Sequence, residues 1–114
     1  MMGMVDLERR IMEARNQARR LVEVANRGRS NSVNIGANES LPHARKKFEI
    51  CWDLVQQGKE FYTECKFTSG GRADIFILDD SKVIEIVCSE TEESLMDKAK
   101  KYPFGIDIEA VKVI

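Results

Sequence analysis

The sequence predicts an α/β (α+β) fold, an N-terminal helical arm followed by one small domain with the element order αβββαβ. Three observations carry this prediction. Apolar residues recur at heptad-like spacing through the first 25 positions, a polar Gly/Asn/Ser stretch follows, and three short β-type stretches joined by tight turns lie between helix signals. A length of 114 residues suits a single core, and 43% apolar with 32% charged residues is ordinary globular usage. A wholly disordered chain, a collagen-like chain and a disulfide-dense scaffold are excluded.

Met4, Leu7, Ile11, Ala14, Ala18, Leu21 and Ala25 alternate spacings of three and four, while Arg9, Arg10, Arg15, Arg19, Arg20 and Arg27 take other faces. About three heptads with three alanines suit either a close helix pair or packing on the chain's own domain. The stretch 27–38 has almost no hydrophobic pattern and reads as a linker, which divides the chain into an arm at 1–37 and a body at 38–114. Ser40 as a cap and Pro42 in the first turn open a helix over 41–57, with Ile50, Cys51, Leu54 and Val55 on its apolar face and Gly58 at its end. Residues 60–67, 72–78 and 82–88 have β character, and the turns Ser69-Gly70-Gly71 and Asp79-Asp80-Ser81 predict an antiparallel meander. Ser89-Glu90-Thr91-Glu92 is a capping-box pattern for a helix bearing Leu95, Met96 and Ala99, stopped by Pro103 and Gly105. The stretch 106–114 closes the chain as a fourth strand.

The net charge of −1 conceals an asymmetry, +5 over residues 1–47 and −6 over 48–114. A basic arm attracts phosphates, and an acidic body repels nucleic acid unless cations hold some of its carboxylates; simple solvation explains the same pattern. Cys51, Cys65 and Cys88 are widely spaced and odd in number, so they read as small core residues in a reducing, cytoplasmic setting. With His43 the one histidine, a polyhistidine metal centre within one chain is excluded and any metal must be held by oxygen. No apolar run is long enough for a membrane span, and the opening MMGMVDLERR reaches charge too soon for a secretory signal, so no membrane association is expected. Phe48, Trp52, Phe61, Tyr62, Phe67, Phe76, Tyr102 and Phe104 do not interleave with cations as single-strand stacking platforms do, and most are expected in the core.

Strand alternation predicts Asp74, Phe76 and Leu78 on one face with Ala73, Ile75 and Ile77 on the other, and separates Val83, Glu85 and Val87 from Ile84, Ile86 and Cys88. Asp74 and Glu85 are each a lone carboxylate in an apolar strand. A charge there needs a partner, or it neutralises. A divalent cation is one partner, with Glu64 as a third oxygen ligand, and such a donor set suits Mg²⁺ or Mn²⁺. The alternative pairs Asp74 with Arg72 or Lys82 and makes Glu85 an edge-strand charge.

Gly70-Gly71-Arg72-Ala73-Asp74-Ile75, then Val83-Ile84-Glu85-Ile86 and a helix, resembles the PD-(D/E)XK superfamily of nucleases. Glu39-Ser40-Leu41-Pro42-His43 with Lys47, Gly58, Glu64, Phe67, Ser89-Glu90, Lys98 and Tyr102-Pro103 is similar to small nuclease-like proteins of archaea and their viruses. The resemblance covers residues 38–114. It implies a restriction-endonuclease-like core with a mixed sheet, and a metal-dependent DNA endonuclease that hydrolyses phosphodiester bonds using Mg²⁺ or Mn²⁺. Asp74 becomes the metal-binding aspartate and Glu85 the first residue of the (D/E)XK element, joined by Glu39, Glu49 or Glu64. Val87 stands where the superfamily has its lysine, and Lys98 or Lys66 is left to supply an ammonium. Glu90 is either another ligand or a first-turn helix charge.

The nucleic-acid contacts expected are Arg19, Arg20, Arg27, Arg29, His43, Lys47 and Arg72, with the arm positioning the backbone rather than reading bases. His43 shares a helix side with Lys47, Ile50 and Leu54 and so faces the sheet, either toward phosphate or as a structural residue. A homo-oligomer, with a dimer favoured, is expected through the N-terminal helix. The competing function is a catalytically inactive nuclease-fold module that binds DNA or assembles through that helix, and a third is a partner-binding regulatory protein.

Overall fold

The computed structural model describes residues 3–113. The helix α1 (Met4–Arg19) leads into a 3₁₀ turn at Val24–Arg29, followed by α2 (Leu41–Gln56), β1 (Phe61–Lys66), β2 (Arg72–Ile77), β3 (Lys82–Val87), α3 (Glu92–Ala99) and β4 (Asp107–Lys112). One four-stranded sheet has the order β1-β2-β3-β4. The first three strands form the expected antiparallel meander, and β4 lies parallel to β3, with α3 in the crossover. The fold is therefore α+β with a mixed sheet. Ser40 caps α2 by accepting from the His43 amide, as its sequence predicts. The cap of α3 is Thr91, not Ser89, so this helix begins later than the capping-box pattern suggests.

Each sheet face carries its own core. On one face Cys51 and Leu54 of α2 pack over Phe61, Ile75, Ile77, Ile84 and Ile86. On the other, Tyr62, Phe67, Phe76, Leu78, Val83 and Tyr102 meet Ala18 and Val22 from the N-terminal region. Each such aromatic or branched side chain contributes about 1.5–3 kcal/mol by its burial.

The N-terminal region departs from a continuous heptad helix. The helix ends at Arg19 because Ala18 and Val22 turn into the core, where Val22 bridges to Phe67. Arg15 adds a bidentate contact to Asp79, and Arg19 pairs with Glu60. In the first turns of α1, Met4, Leu7 and Ile11 of the stripe are exposed. Phe61, Tyr62, Phe67, Phe76 and Tyr102 are buried, in line with most of the aromatics being core, whereas Phe48, Trp52 and Phe104 are exposed because α2 turns its other side to the sheet and Phe104 sits in the loop before β4. Cys51 and Cys65 are buried as expected, whereas Cys88, just past the end of β3, is exposed.

Period-two alternation fails in the middle of β1 and β2. Tyr62 and Cys65 lie in the same core three residues apart, as do Ala73 and Phe76 opposite them. The slip centres on Glu64, whose φ of 48° is left-handed, and the β1–β2 register skips Glu64 and Asp74. That backbone state costs a non-glycine residue about 1–2 kcal/mol. Asp74 itself lies off the Phe76/Leu78 face expected for it and toward α2, where His43 Nε2 is 3.4 Å from its Oδ2.

Candidate active site

The β2–β3 ladder stops at Ile75↔Ile84. Continuing its register would set Asp74 opposite Glu85, but the strands part there and the Asp74 carboxylate takes over a ladder position: its Oδ2 accepts from the Ile86 amide at 2.7 Å. β3 remains paired to β4 as far as Val87, so Glu85 lies on an interior strand and its edge-strand reading is set aside. Glu85 is 3% exposed. Burial pushes its carboxyl up, Lys98 pulls it down, and the adjacent Asp74 pushes it up again, leaving it at about 7. Asp74 is thus the like charge beside Glu85, at the point where the strands part, with its other partner on the α2 side of the sheet and those of Glu85 on the Tyr102 side.

Each has a distinct set of partners. Glu85 accepts from Lys98 at 2.7 Å through Oε2 and from the Tyr102 hydroxyl through Oε1. Lys98 is the ammonium that reaches this centre. Lys66 turns instead toward Glu23, and Val87 is a buried apolar side chain. Tyr102 is placed by close packing: a Cβ on Gly71 would fall 2.7 Å from its ring and 2.9 Å from the Lys101 carbonyl, so the second glycine of the Gly70-Gly71 pair is a packing requirement. On the α2 side, His43 Nε2 lies 3.4 Å from Asp74 Oδ2 while Nδ1 bonds Glu39. Burial works against the charge on His43, but Glu39 and Asp74 outweigh it and raise its pKa.

Behind His43 stands a fully buried lysine. Lys47 Nζ donates to Glu39 at 2.9 Å and to the Asn34 carbonyl, and lies 3.9 Å from Glu64. Burial raises the Glu39 carboxyl, yet Lys47, the Gly36 amide and His43 together bring it below its usual value. Glu64 is shifted the other way, upward, by burial first and then by Asp74, against the pull of Lys47. A chain Lys47–Glu39–His43–Asp74–Glu85–Lys98 thus crosses the end of the sheet, opposite charges facing each other at every step but one, the like-charged Asp74 and Glu85.

Of the other expected residues, Glu49 is exposed and pairs with Lys46, which removes it from the candidate ligands. Glu90 accepts from the Cys88 and Ser89 amides and serves as a local cap. Arg72 and Lys82 do not pair with Asp74; Lys82 goes to Glu109. Arg19 and Arg27 are engaged by Glu60 and by backbone carbonyls. Arg20 is exposed, and Arg29 and Arg72 border a cleft that also contains Glu64.

Among the described residues, no group of three or more His, Cys, Asp or Glu side chains is arranged to hold a metal ion. The donor chemistry at Asp74 and Glu85 nevertheless fits a hard divalent cation. Asp74 raises the Glu85 carboxyl as a neighbouring like charge, only part of their lone-pair capacity is used, and such repulsion is what a cation relieves. Comparison of the chain with family models, curated proteins and solved structures finds no match. No helix among the described residues is long and apolar enough to cross a membrane.

A pH dependence follows from Glu85. Its carboxyl lies near 7 when folded against an ordinary value of 4.5, so the folded state keeps a proton that the unfolded chain has lost. Its contribution to stability is complete below about 4.5 and disappears as pH rises through 7. Thermal unfolding in chelator is expected to show the wild type losing stability between pH 5 and 8 relative to Glu85→Gln. Parallel pH profiles for the two proteins would contradict this assignment.

Proposed function

We propose that the chain is a metal-dependent DNA endonuclease of the PD-(D/E)XK type, acting in the cytoplasm, with Asp74, Glu85 and Lys98 at its centre. The observation that carries this reading is the placement of Asp74 beside Glu85 where β2 and β3 part, with Lys98 Nζ 2.7 Å from Glu85. Asp74 and Glu85 would hold Mg²⁺ or Mn²⁺; Glu64, whose carboxyl Asp74 pushes up, is not grouped with them as a third ligand among the described residues. When bound, the ion supplies neutralisation of phosphodiester charge and acidification of water.

The chain's own groups supply position and charge. The Ile86 amide and His43 fix the Asp74 carboxylate, while Tyr102 fixes that of Glu85. Lys98 brings a cation on a partly exposed side chain, which suits offsetting negative charge on a cleaved phosphate. Glu39 and Lys47 lie one layer back and hold His43 in line. Incubation with supercoiled, linear, single-stranded and branched DNA in Mg²⁺, Mn²⁺ or chelator tests the reading, which predicts cleavage confined to the metal samples.

A second reading is a silent nuclease-fold module that binds DNA or assembles through α1. It is favoured by the pairing of each Glu85 oxygen, one with Lys98 and one with Tyr102, and by the exposed Met4, Leu7 and Ile11 stripe, which suits a homodimer contact. Salt-sensitive DNA binding without cutting in any metal selects this alternative.

A further inference from the structure

We propose that a notch between the 3₁₀ turn and the β1–β2 edge, flanked by Arg29 and Arg72, binds a phosphodiester group of a nucleic-acid strand that continues over the Asp74–Glu85 centre. The proposal deepens the nuclease reading and rests on it for the destination of the strand. The notch encloses about 320 Å³ and is bordered by Asn26, Arg29, Asn34, Tyr62, Glu64 and Arg72.

The fold sorts the seven expected nucleic-acid cations into two groups. Arg19, Arg27, His43 and Lys47 are held by carboxylates or backbone carbonyls within the protein. Arg20, Arg29 and Arg72 are exposed, and no ion pair or side-chain hydrogen bond engages them among the described residues. Two of these three, Arg29 and Arg72, come from segments 43 positions apart in the numbering and border the same cavity. Asn26 and Asn34 add amides capable of donating to phosphate oxygens.

Placement gives the notch its meaning. Arg72 is two residues before Asp74, and a second cleft of about 580 Å³ shares Gly36, Glu64 and Arg72 with the notch before continuing to His43 and Glu39. An occupant of both clefts is longer than one phosphate ion. The carboxylate centre by itself repels a polyanion, so two guanidinium groups beside it supply the attraction that holds a strand in register. Arginine suits this task because its planar fork matches phosphate oxygens bidentately. Such contacts position the strand and carry no sequence information.

The test is fluorescence anisotropy with a labelled single-stranded oligonucleotide in chelator, over roughly 50 to 200 mM salt. Arg29→Ala/Arg72→Ala is expected to weaken binding at least about tenfold and to flatten the log–log salt dependence by about one to two units. Arg29→Lys/Arg72→Lys should recover part of the affinity, and Arg9→Ala/Arg10→Ala on the projecting end of α1 should cost less. Both notch arginines are exposed, so circular dichroism and melting should match the wild type and exclude misfolding. Unchanged affinity and slope in the double alanine variant, or absence of salt-sensitive binding by the wild type, would overturn the proposal. Competition by inorganic phosphate equal to that of the same phosphate concentration in oligonucleotide would also overturn it, by identifying a free-anion site. Cleavage with binding insensitive to both arginines rejects the notch alone. Arginine-dependent binding with no cleavage in any metal rejects the nuclease reading and supports the notch.

Discussion

Asp74→Asn and Glu85→Gln are each expected to reduce metal-dependent DNA cleavage by at least about a hundredfold, since each removes one of two charges meant to hold the same cation. Lys98→Met is expected to slow cleavage by a comparable factor while leaving metal binding in place, because its ammonium touches Glu85 from the side of α3. Gel assays of supercoiled substrate under single-turnover conditions separate these effects from product release. Asp74→Asn and Glu85→Gln keep the shape of the side chains and remove charge from a crowded acidic pair, so loss of activity should come without loss of fold. Wild-type rates in either variant would remove those carboxylates from the chemistry. Cleavage unaffected by Lys98→Met would return that lysine to a purely structural pairing with Glu85.

Lys47→Met should destabilise the protein by about 3–5 kcal/mol, the usual penalty for breaking a buried ion pair from one side. Its side chain is completely buried, and Glu39, 6% exposed, would lose the cation that lies 2.9 Å from it. The remaining Lys47 contact, to the Asn34 carbonyl, ties the segment before α2 to that helix. By contrast Lys59→Ala, which breaks an exposed pair with Asp80, should cost no more than about 1 kcal/mol. Urea denaturation of both variants at neutral pH measures the difference. Equal small effects would show that Glu39 is satisfied without Lys47.

Much of this architecture is legible in the residues. Ser40 with Pro42 marks the start of α2, and the two turn sequences mark the meander, since capping and turn chemistry are local. His43 and Lys47 on the sheet side of α2 were also readable from helical spacing. The broken alternation was not: Glu64 has no sequence mark of a left-handed residue, and without that slip Asp74 is assigned to the wrong face. The extended heptad reading failed because periodicity does not reveal that Val22 bridges to Phe67. Tyr102 read as core, which it is, but its hydroxyl contact to Glu85 depends on the tertiary approach of the segment after α3. One signal was available for the inner layer. A lysine on the buried side of an amphipathic helix demands a carboxylate, and Glu39 lies eight residues before it.

The decisive measurement is a calorimetric titration of metal-free protein with Mn²⁺, repeated on folded Asp74→Asn and Glu85→Gln. One ion bound per wild-type chain, with binding lost or strongly weakened in both variants, is the result expected of a shared carboxylate site. Undiminished binding in the variants, or no binding by the wild type at millimolar Mn²⁺, would contradict it.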